Sequence, residues 1–364
     1  MNPATEKLKR DFAPERRQQE TPTIQSDTRS LQAKTSVVVL TASAVLVLLY
    51  VSWLGRTVLL LIFAGILLAV MLHSAASCLE KTLRIQRRWS LPLVVMAIAA
   101  ILGLGVWLRG PAIAAQIDQL QERLPLAAKS FVESVGAKDW GRWLAAHGWG
   151  PEHLPRAIDM LPRLTGALST TLGFLAGLVI IIFLGITIAA EPQTYRRGVE
   201  HLFPPSLRSD AACVMEDLGR ALRWWLVARL ASMCAVGVMV TIGLLVLRVP
   251  LAGTLGALAA LLTFIPNVGP FLSAIPPVLL AFSNGPRQAL FVILLFWAVH
   301  ALEGLLITPI AERTAVHLPP ALTLSAQLLL AVIIGPIGIA LAAPLTTVAM
   351  VLVRSVYLQR FLKE

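Results

Sequence analysis

Residues 251–282 read LAGTLGALAALLTFIPNVGPFLSAIPPVLLAF, two apolar halves separated by a short segment that cannot continue a helix. At a rise of about 1.5 Å per residue, neither Leu251–Leu262 nor Phe271–Phe282 reaches across a hydrocarbon layer about 30 Å thick. Backbone freed from helical hydrogen bonds is tolerated at membrane depth only where protein or a water-filled cavity covers it. The pattern therefore predicts a re-entrant hairpin or a broken helix, with the break at three helix-disrupting residues, Pro266, Gly269 and Pro270.

A second interrupted pair of apolar runs follows nearer the carboxyl terminus. Leu318–Ile334 and Ile337–Val353 are separated by Gly335 and Pro336, and Pro344 is expected to interrupt the second run again. The carboxyl-terminal part of the chain therefore contains two predicted hairpins, each with a break.

The composition of the whole chain is that of a membrane protein. Of its 364 residues, 57% are hydrophobic and 14% are charged, against about 25% charged in soluble domains. This excludes an ordinary soluble protein and predicts an all-α polytopic membrane protein with about eight hydrophobic helical segments. The formal charge of +11 indicates cytoplasmic loops and contact with anionic membrane lipid, and no nucleic acid partner is expected.

The apolar runs divide the chain into seven parts. The opening runs, Val37–Trp53 and Val58–Leu72, form a predicted hairpin, and a loop at His73–Ser90 leads to a third span ending at Leu108. The predicted layout is a disordered cytosolic arm (1–36), three transmembrane helices (37–108), an extracytoplasmic helical insert (109–163), a transmembrane helix (164–190), a cytosolic connector (191–223), a carboxyl-terminal core with broken hairpins (224–353) and a cytosolic tail (354–364).

Basic residues set the predicted orientation. The loop at 73–90 holds four basic residues against one acid, and the tail adds Arg354, Arg360 and Lys363. Because basic loops remain on the cytoplasmic side, both termini are predicted to be cytoplasmic in a multi-pass protein of the bacterial inner membrane.

Sequence patterns of enzymes and metal sites are not found in the chain. It has no HExxH, GxSxG, Walker lysine pattern or GxGxxG after a strand. The spacing of Cys78, Cys213 and Cys234 matches no zinc or redox pattern. We therefore expect no enzyme activity, no cofactor and no metal.

One acidic residue lies inside a predicted span. Glu303 falls within Phe291–Thr308, where a carboxylate costs about 3 kcal/mol on insertion scales. Two interpretations are open. In the functional one, Glu303 contacts substrate or couples transport to protons, and in the structural one it joins two helices by pairing with Arg229 or Arg313. His300, one turn earlier, either partners Glu303 or satisfies a local polar gap.

Two amides are the remaining polar candidates. Asn267 lies in the proline-broken segment, where unwound carbonyls would add further polar contacts to a solute. Gln327 lies in the second hairpin and either faces the same cavity or forms an interhelical hydrogen bond.

Three blocks of the sequence resemble those of the autoinducer-2 exporter family, also called the permease-like family. They are FIPNVGPFLSAIPPVLLAF, LEGLLITPIAERTAVHLPPALT and IGPIGIALAAPL, in that order. The resemblance implies a bacterial inner-membrane exporter of small solutes, with autoinducer-2 release or sodium (lithium)/proton exchange as the activities of relatives. It also implies a homo-oligomer, with a pentamer as the expected form.

The resemblance assigns structural breaks by position and also shows two departures. The proline-flanked loop falls on Pro266, Gly269 and Pro270, and Gly335 with Pro336 divides the last hairpin. The family's Glu-Gly pair and following proline fall on Glu303, Gly304 and Pro309. The chain departs at Arg229, where relatives often have glutamine, and at Leu305, where a polar residue is common, so the solute is expected to differ.

Three functions fit these observations. The first is a secondary carrier that exports a small polar or anionic solute, autoinducer-2 or a related metabolite, with residues 224–353 as its transport core. The second is a sodium (lithium)/proton antiporter. The third is an envelope scaffold without transport activity that recruits partners through residues 109–163.

Overall fold

The computed structural model describes residues 53–84, 86–136, 171–307 and 319–361, with scattered residues between 43 and 51. Every regular element in these ranges is helical, which confirms the predicted all-α polytopic fold. Within the same ranges, five helices are long and apolar enough to cross a membrane, and three further apolar helices are shorter. Residues 1–36, 137–170 and 308–318 lie outside the described part, and with them most of the predicted insert.

The chain divides into two compact units, residues 1–56 and 57–364. In the first unit, Gly55 donates its N–H to the Val51 carbonyl at 2.8 Å. The Arg56 guanidinium lies 4.8 Å from the centre of the Trp53 ring. A cation over an aromatic face is a stabilising contact.

Helix α1 (Arg56–Leu83) starts at the last residue of the first unit and lies otherwise in the second, and the long helix α2 (Arg87–Gly136) follows it. The prediction of a loop at His73–Ser90 is wrong, because α1 continues to Leu83. The hydroxyls of Ser74 and Ser77 bond to carbonyls of their own helix, so the polar residues that indicated a loop are accommodated within it.

Helix α2 also continues past the predicted end of the third span at Leu108. It passes through Pro111 and Pro125, which remove backbone donors without ending the helix. Its later part packs against the first hairpin through Ala127 and Ala128, and Phe131 contacts Phe282 edge-on at 4.8 Å. This packing offsets the lost hydrogen bonds. The extracytoplasmic location of residues 109–163 stays a prediction.

The chain bends sharply after its next apolar helix. Helix α3 (Thr171–Ala190) ends where predicted, and α4 (Pro192–His201) follows at 88° to it. A short 3-10 turn (Pro205–Leu207) then leads into α5 (Arg208–Val246). Thus α5 includes part of the predicted connector and ends one residue before the predicted Leu247.

Two helical hairpins complete the fold. The first consists of α6 (Ala252–Thr263) and α7 (Val268–Phe282), which pack together and confirm the predicted break. Helix α8 (Pro286–Leu302) continues into a π-helical turn, Glu303–Ile307. The second hairpin consists of α9 (Pro320–Ile334) and α10 (Pro336–Phe361).

The predicted interruption at Pro344 is wrong, because α10 is continuous through it and extends into the predicted tail. Ala342 and Ala343, just before Pro344, are fully buried. The hydroxyls of Thr346 and Thr347 donate to their carbonyls. Tight packing and these bonds compensate for the donor that proline lacks.

The main core lies where the first hairpin meets α5 and α8. Val236, Val240 and Leu244 of α5 are completely buried, as are Leu255 of α6 and Val292 of α8. A second cluster joins α1, α5 and α10 around Trp225 and Leu341. The hairpin break is therefore held between α5 and the second hairpin.

Candidate functional site

The predicted intramembrane acid is surrounded by polar side chains from two helices. Ser232 of α5 donates its hydroxyl hydrogen to Glu303 Oε1, and Arg229 Nη1 lies 3.6 Å from the same oxygen. His300 Nδ1 is 2.9 Å from Oε2. The Glu303 side chain is only 13% exposed, so these contacts replace most of the water that its charge would otherwise require.

Arg229 connects this acid to the hairpin break. Its Nε donates to the Phe264 carbonyl at 3.1 Å, and the ring of Phe264 meets Trp225 edge-on at 5.7 Å. A backbone carbonyl left over where α6 ends is therefore satisfied by a guanidinium of α5. One arginine contacts both the acid and the unwound segment.

Gln327 connects the second hairpin to the same break. Its Nε2 donates to the Pro266 carbonyl at 2.7 Å, across 61 residues of chain. The side chain is 2% exposed, and its Oε1 has no hydrogen-bond partner within the described residues. This bond joins α9 to the break, and the other predicted alternative, that Gln327 faces a solute cavity, stays a prediction.

We call this group the polar junction. It comprises two backbone carbonyls of the break and five side chains from α5, α8, the π-helical turn and α9, which are Phe264 and Pro266 (carbonyls), Arg229, Ser232, His300, Glu303 and Gln327. Apart from the contact between His300 and Glu303, which lie three residues apart on one continuous helix, each connection joins separate helices or joins a helix to the break.

The backbone of the break is sharply turned. Asn267 has φ of 63° and ψ of −49°, which is the conformation at the centre of the rare, strained form of the γ-turn. The Val268 N–H bonds to the Pro266 carbonyl at 2.7 Å. Pro270 falls in the first turn of α7, where its missing N–H removes no helical bond.

Gly269 lets the two helices of the hairpin meet. A Cβ at this position would collide with the backbone carbonyl oxygen of Leu262 in α6. The close approach of two backbones is therefore the reason for glycine here.

We expect Gly269→Ala to destabilise the protein by about 1–3 kcal/mol, the usual effect of overpacking a tight contact. The midpoint of thermal unfolding in detergent would measure it. Gly253→Ala is the matched control in the same hairpin, because a Cβ there meets no atom within 4 Å. Equal midpoints for the two variants would contradict the assigned backbone contact.

The π-helical turn begins at Glu303. Such turns are rare and occur frequently at functional sites, because they shift the register of a helix by part of a turn. Gly304 within it is exposed, and a Cβ there would meet no atom within 4 Å. The helix that carries the acid is thus irregular at the acid itself.

Other predicted site residues stand apart from the junction. Asn267 makes no side-chain hydrogen bond to any residue that the structure describes. Gly335 has φ of 89° and, with Pro336, forms the tip of the second hairpin. Arg313 and Pro309 lie outside the described residues. Roles in binding or coupling for the predicted residues stay predictions.

Ser232 is the junction residue that sequence reasoning missed. It is 3% exposed and follows Arg229 by three positions, so it lies on the same face of α5. The three-residue spacing from Arg229 is the feature of the sequence that could have predicted Ser232 as a neighbour of Glu303. Within the described part of the chain, no three His, Cys, Asp or Glu side chains are grouped to hold a metal.

The contribution of Gln327 to the junction can be measured by replacing it with leucine. We expect Gln327→Leu to lower stability by about 1 kcal/mol, the usual scale of a buried hydrogen bond in membrane helices, and to reduce the solute transport that the family resemblance implies. Gln288→Leu removes a similar bond, 2.7 Å long, to the Leu247 carbonyl. That control should be destabilised without an effect on transport, and equal transport by both variants would contradict a special role for Gln327.

Comparison with known proteins gives a consistent match along the chain. A family model described as AI-2E family transporter matches residues 43–357. "Putative transport protein YueF" of Bacillus subtilis is 27% identical over 272 residues, which cover 71% of this chain and 73% of that protein. "Putative transport protein YrrI" of the same organism is 24% identical over 258 residues, covering 66% and 70%.

A shorter stretch is similar to a third protein. "Putative transport protein YhhT" of Escherichia coli is 32% identical over 113 residues, which cover 31% of this chain and 32% of that protein. The family match includes every residue of the polar junction.

Proposed function

The chain belongs to the AI-2E transporter family, and from this membership we propose that it is a secondary carrier that exports a small polar or anionic solute, coupled to protons through Glu303. The observation that carries the proposal is the position of Glu303. It connects α5 to the irregular helix α8, while its partner Arg229 also binds the broken hairpin. A membrane transporter with an acid at such a connection has a means of linking charge to movement.

Coupling follows from what protonation does to the junction. The ionised carboxylate accepts from Ser232 and attracts Arg229. Adding a proton removes the negative charge, and with it the attraction that opposes separation of the two side chains. Glu303 is paired in this conformation, so the pair must open during the cycle. The first hairpin, held by Arg229 at Phe264, would then move.

The proposed solute contacts lie at the break. Asn267 has an amide without a hydrogen bond to the described residues, and it adjoins unwound backbone. Transporters commonly build binding sites from such discontinuous helices. The positive charge of Arg229 beside the break favours a polar or anionic solute over a cationic one.

Transport by purified protein in liposomes tests this proposal. The class of solute is first narrowed by measuring intracellular and extracellular metabolites in cells that lack the protein and in cells that overproduce it. Labelled candidates, autoinducer-2 among them, are then measured with and without an imposed proton gradient. Gradient-stimulated movement of one solute is expected, and transport that ignores the gradient would refute proton coupling.

Sodium (lithium)/proton antiport is the second candidate. The observation that favours antiport is the buried Oε1 atom of Gln327, which has no hydrogen-bond partner within the described residues. The Nε2 atom of the same side chain donates to the Pro266 carbonyl. Oxygen ligands of this kind suit hard cations. Proton movement reported by a dye after sodium addition distinguishes antiport from metabolite export.

The proposed setting is the bacterial inner membrane, with both termini cytoplasmic and a homo-oligomer, a pentamer, as the assembly. Cys213 is exposed on α5 in the predicted cytosolic connector. A maleimide that cannot cross membranes should label it only after the cells are opened. Labelling in intact spheroplasts would reverse the proposed orientation.

A further inference from the structure

A cleft of about 550 Å³ lies between α1, α3 and α5. Its walls include Val70 of α1 and Ile188 and Ala189 of α3, which are apolar. Gly219 and Arg223 of α5 line another side. The volume is within the range of clefts that hold small organic ligands, about 300–1,000 Å³.

The surrounding helices place this cleft at a membrane boundary. Helix α3 carries no charged residue and ends at Ala190, next to the cleft. The chain then turns by 88° into the polar helix α4. A bend of that size at the end of a span directs α4 along the bilayer surface.

Helix α4 has the character of an interfacial helix. Tyr195 and Val199 lie one turn apart on α4, Leu202 and Phe203 follow its end at His201, and all four side chains are exposed, Leu202 by 82%. Arg196 and Arg197 lie between them in sequence. Apolar side chains on one face with basic residues beside them are typical of helices that lie at the headgroup level.

The charge at the mouth of the cleft is uneven. Arg220 is paired with Glu216 at 3.4 Å and with Asp217 at 3.6 Å. Arg223 lines the cleft, is exposed and has no ion pair or hydrogen bond to any part of the chain that the structure describes. Among the residues that line the cleft, Arg220 and Arg223 outnumber the one acid, Glu216, so the lining carries one net positive charge beside its apolar walls.

From this arrangement we propose that the cleft binds an anionic phospholipid. The acyl chain occupies the apolar side formed by Val70, Ile188 and Ala189, and the headgroup phosphate meets Arg223. Basic pockets between transmembrane helices bind such headgroups, and guanidinium suits phosphate oxygens. A small soluble anion would leave the apolar walls unused.

The first test removes the charge. Phosphatidylglycerol is titrated into the purified protein in an uncharged detergent, and bound lipid is counted by native mass spectrometry alongside thermal unfolding. We expect Arg223→Gln to weaken apparent lipid affinity about tenfold, the effect of one lost charged contact. Arg197→Gln removes the same charge from α4, outside the cleft, and should retain the affinity of the unmodified protein.

The second test fills the cleft. A Cβ on Gly219 meets no atom within 4 Å, so Gly219→Leu should fold and occupy the space of the acyl chain. Gly198→Leu is matched, because a Cβ on Gly198 of α4 also meets nothing within 4 Å. We expect only Gly219→Leu to abolish stabilisation by phosphatidylglycerol.

Two further compounds test whether the ligand must be anionic and whether it must be a lipid. Phosphatidylcholine and glycerol 3-phosphate should each stabilise the protein less than phosphatidylglycerol at equal concentration. Equal stabilisation by phosphatidylcholine would refute the requirement for an anion, and equal stabilisation by glycerol 3-phosphate would refute a lipid. Full lipid response in both Arg223→Gln and Gly219→Leu would overturn the site.

Discussion

Proton-driven transport should fall to the level of empty liposomes in the Glu303→Gln variant, while solute exchange without a gradient should persist. Glutamine keeps the size of the side chain and an oxygen that can accept from Ser232. It cannot lose or gain a proton in the physiological range. Arg229 retains its bond to the Phe264 carbonyl, so the hairpin break keeps one of its connections.

Two other variants make this result interpretable. Glu303→Asp retains a titratable carboxylate and should retain some response to the gradient. Glu200→Gln removes a carboxylate paired with Arg196 Nε at 3.1 Å, outside the junction, and should transport as the unmodified protein does. Undiminished gradient-driven transport by Glu303→Gln would eliminate the coupling role.

The parts of the fold that sequence predicted correctly are those with local causes. The break before Val268 follows from Pro266 and the adjacent short apolar runs, which need no distant partner to be recognised. The end of α3 at Ala190 likewise follows from the loss of apolar character. The loop at His73–Ser90 and the interruption at Pro344 were wrong because packing and side-chain bonds to the backbone maintained the helices.

The side-chain contacts of the polar junction depend on how distant helices pack together. They were therefore harder to predict from sequence than the helix ends and breaks. Glu303 could be recognised because it is an acidic residue within an apolar span. Its position in the sequence could not show whether its partner is Arg229 or Arg313. Gln327 reaches Pro266 across 61 residues, and only the packing of two hairpins brings them together. Ser232 was missed because serine in a helix commonly bonds to its own backbone, so its identity alone indicates little.

Loss of Arg229 should be the most destabilising single change at the junction. Arg229→Gln leaves Glu303 ionised and mostly buried without its cation, and breaking a buried pair in this way costs about 3–5 kcal/mol. Glutamine can still donate to the Phe264 carbonyl, so the decrease in stability reports the removal of the positive charge and not the loss of this hydrogen bond. Thermal and denaturant unfolding in detergent, at a pH where Glu303 is ionised, measures the effect.

The double variant separates pairing from packing. In Arg229→Gln with Glu303→Gln, neither charge remains to be compensated, so this protein should be more stable than Arg229→Gln alone. The two single effects would then sum to more than the double effect, which is the mark of directly interacting residues. Strict additivity would mean that the 3.6 Å approach of Arg229 to Glu303 contributes no coupling. Proton coupling would then have to reach the hairpin through Ser232 or His300 instead, because Arg229 is the residue that contacts both Glu303 and the break.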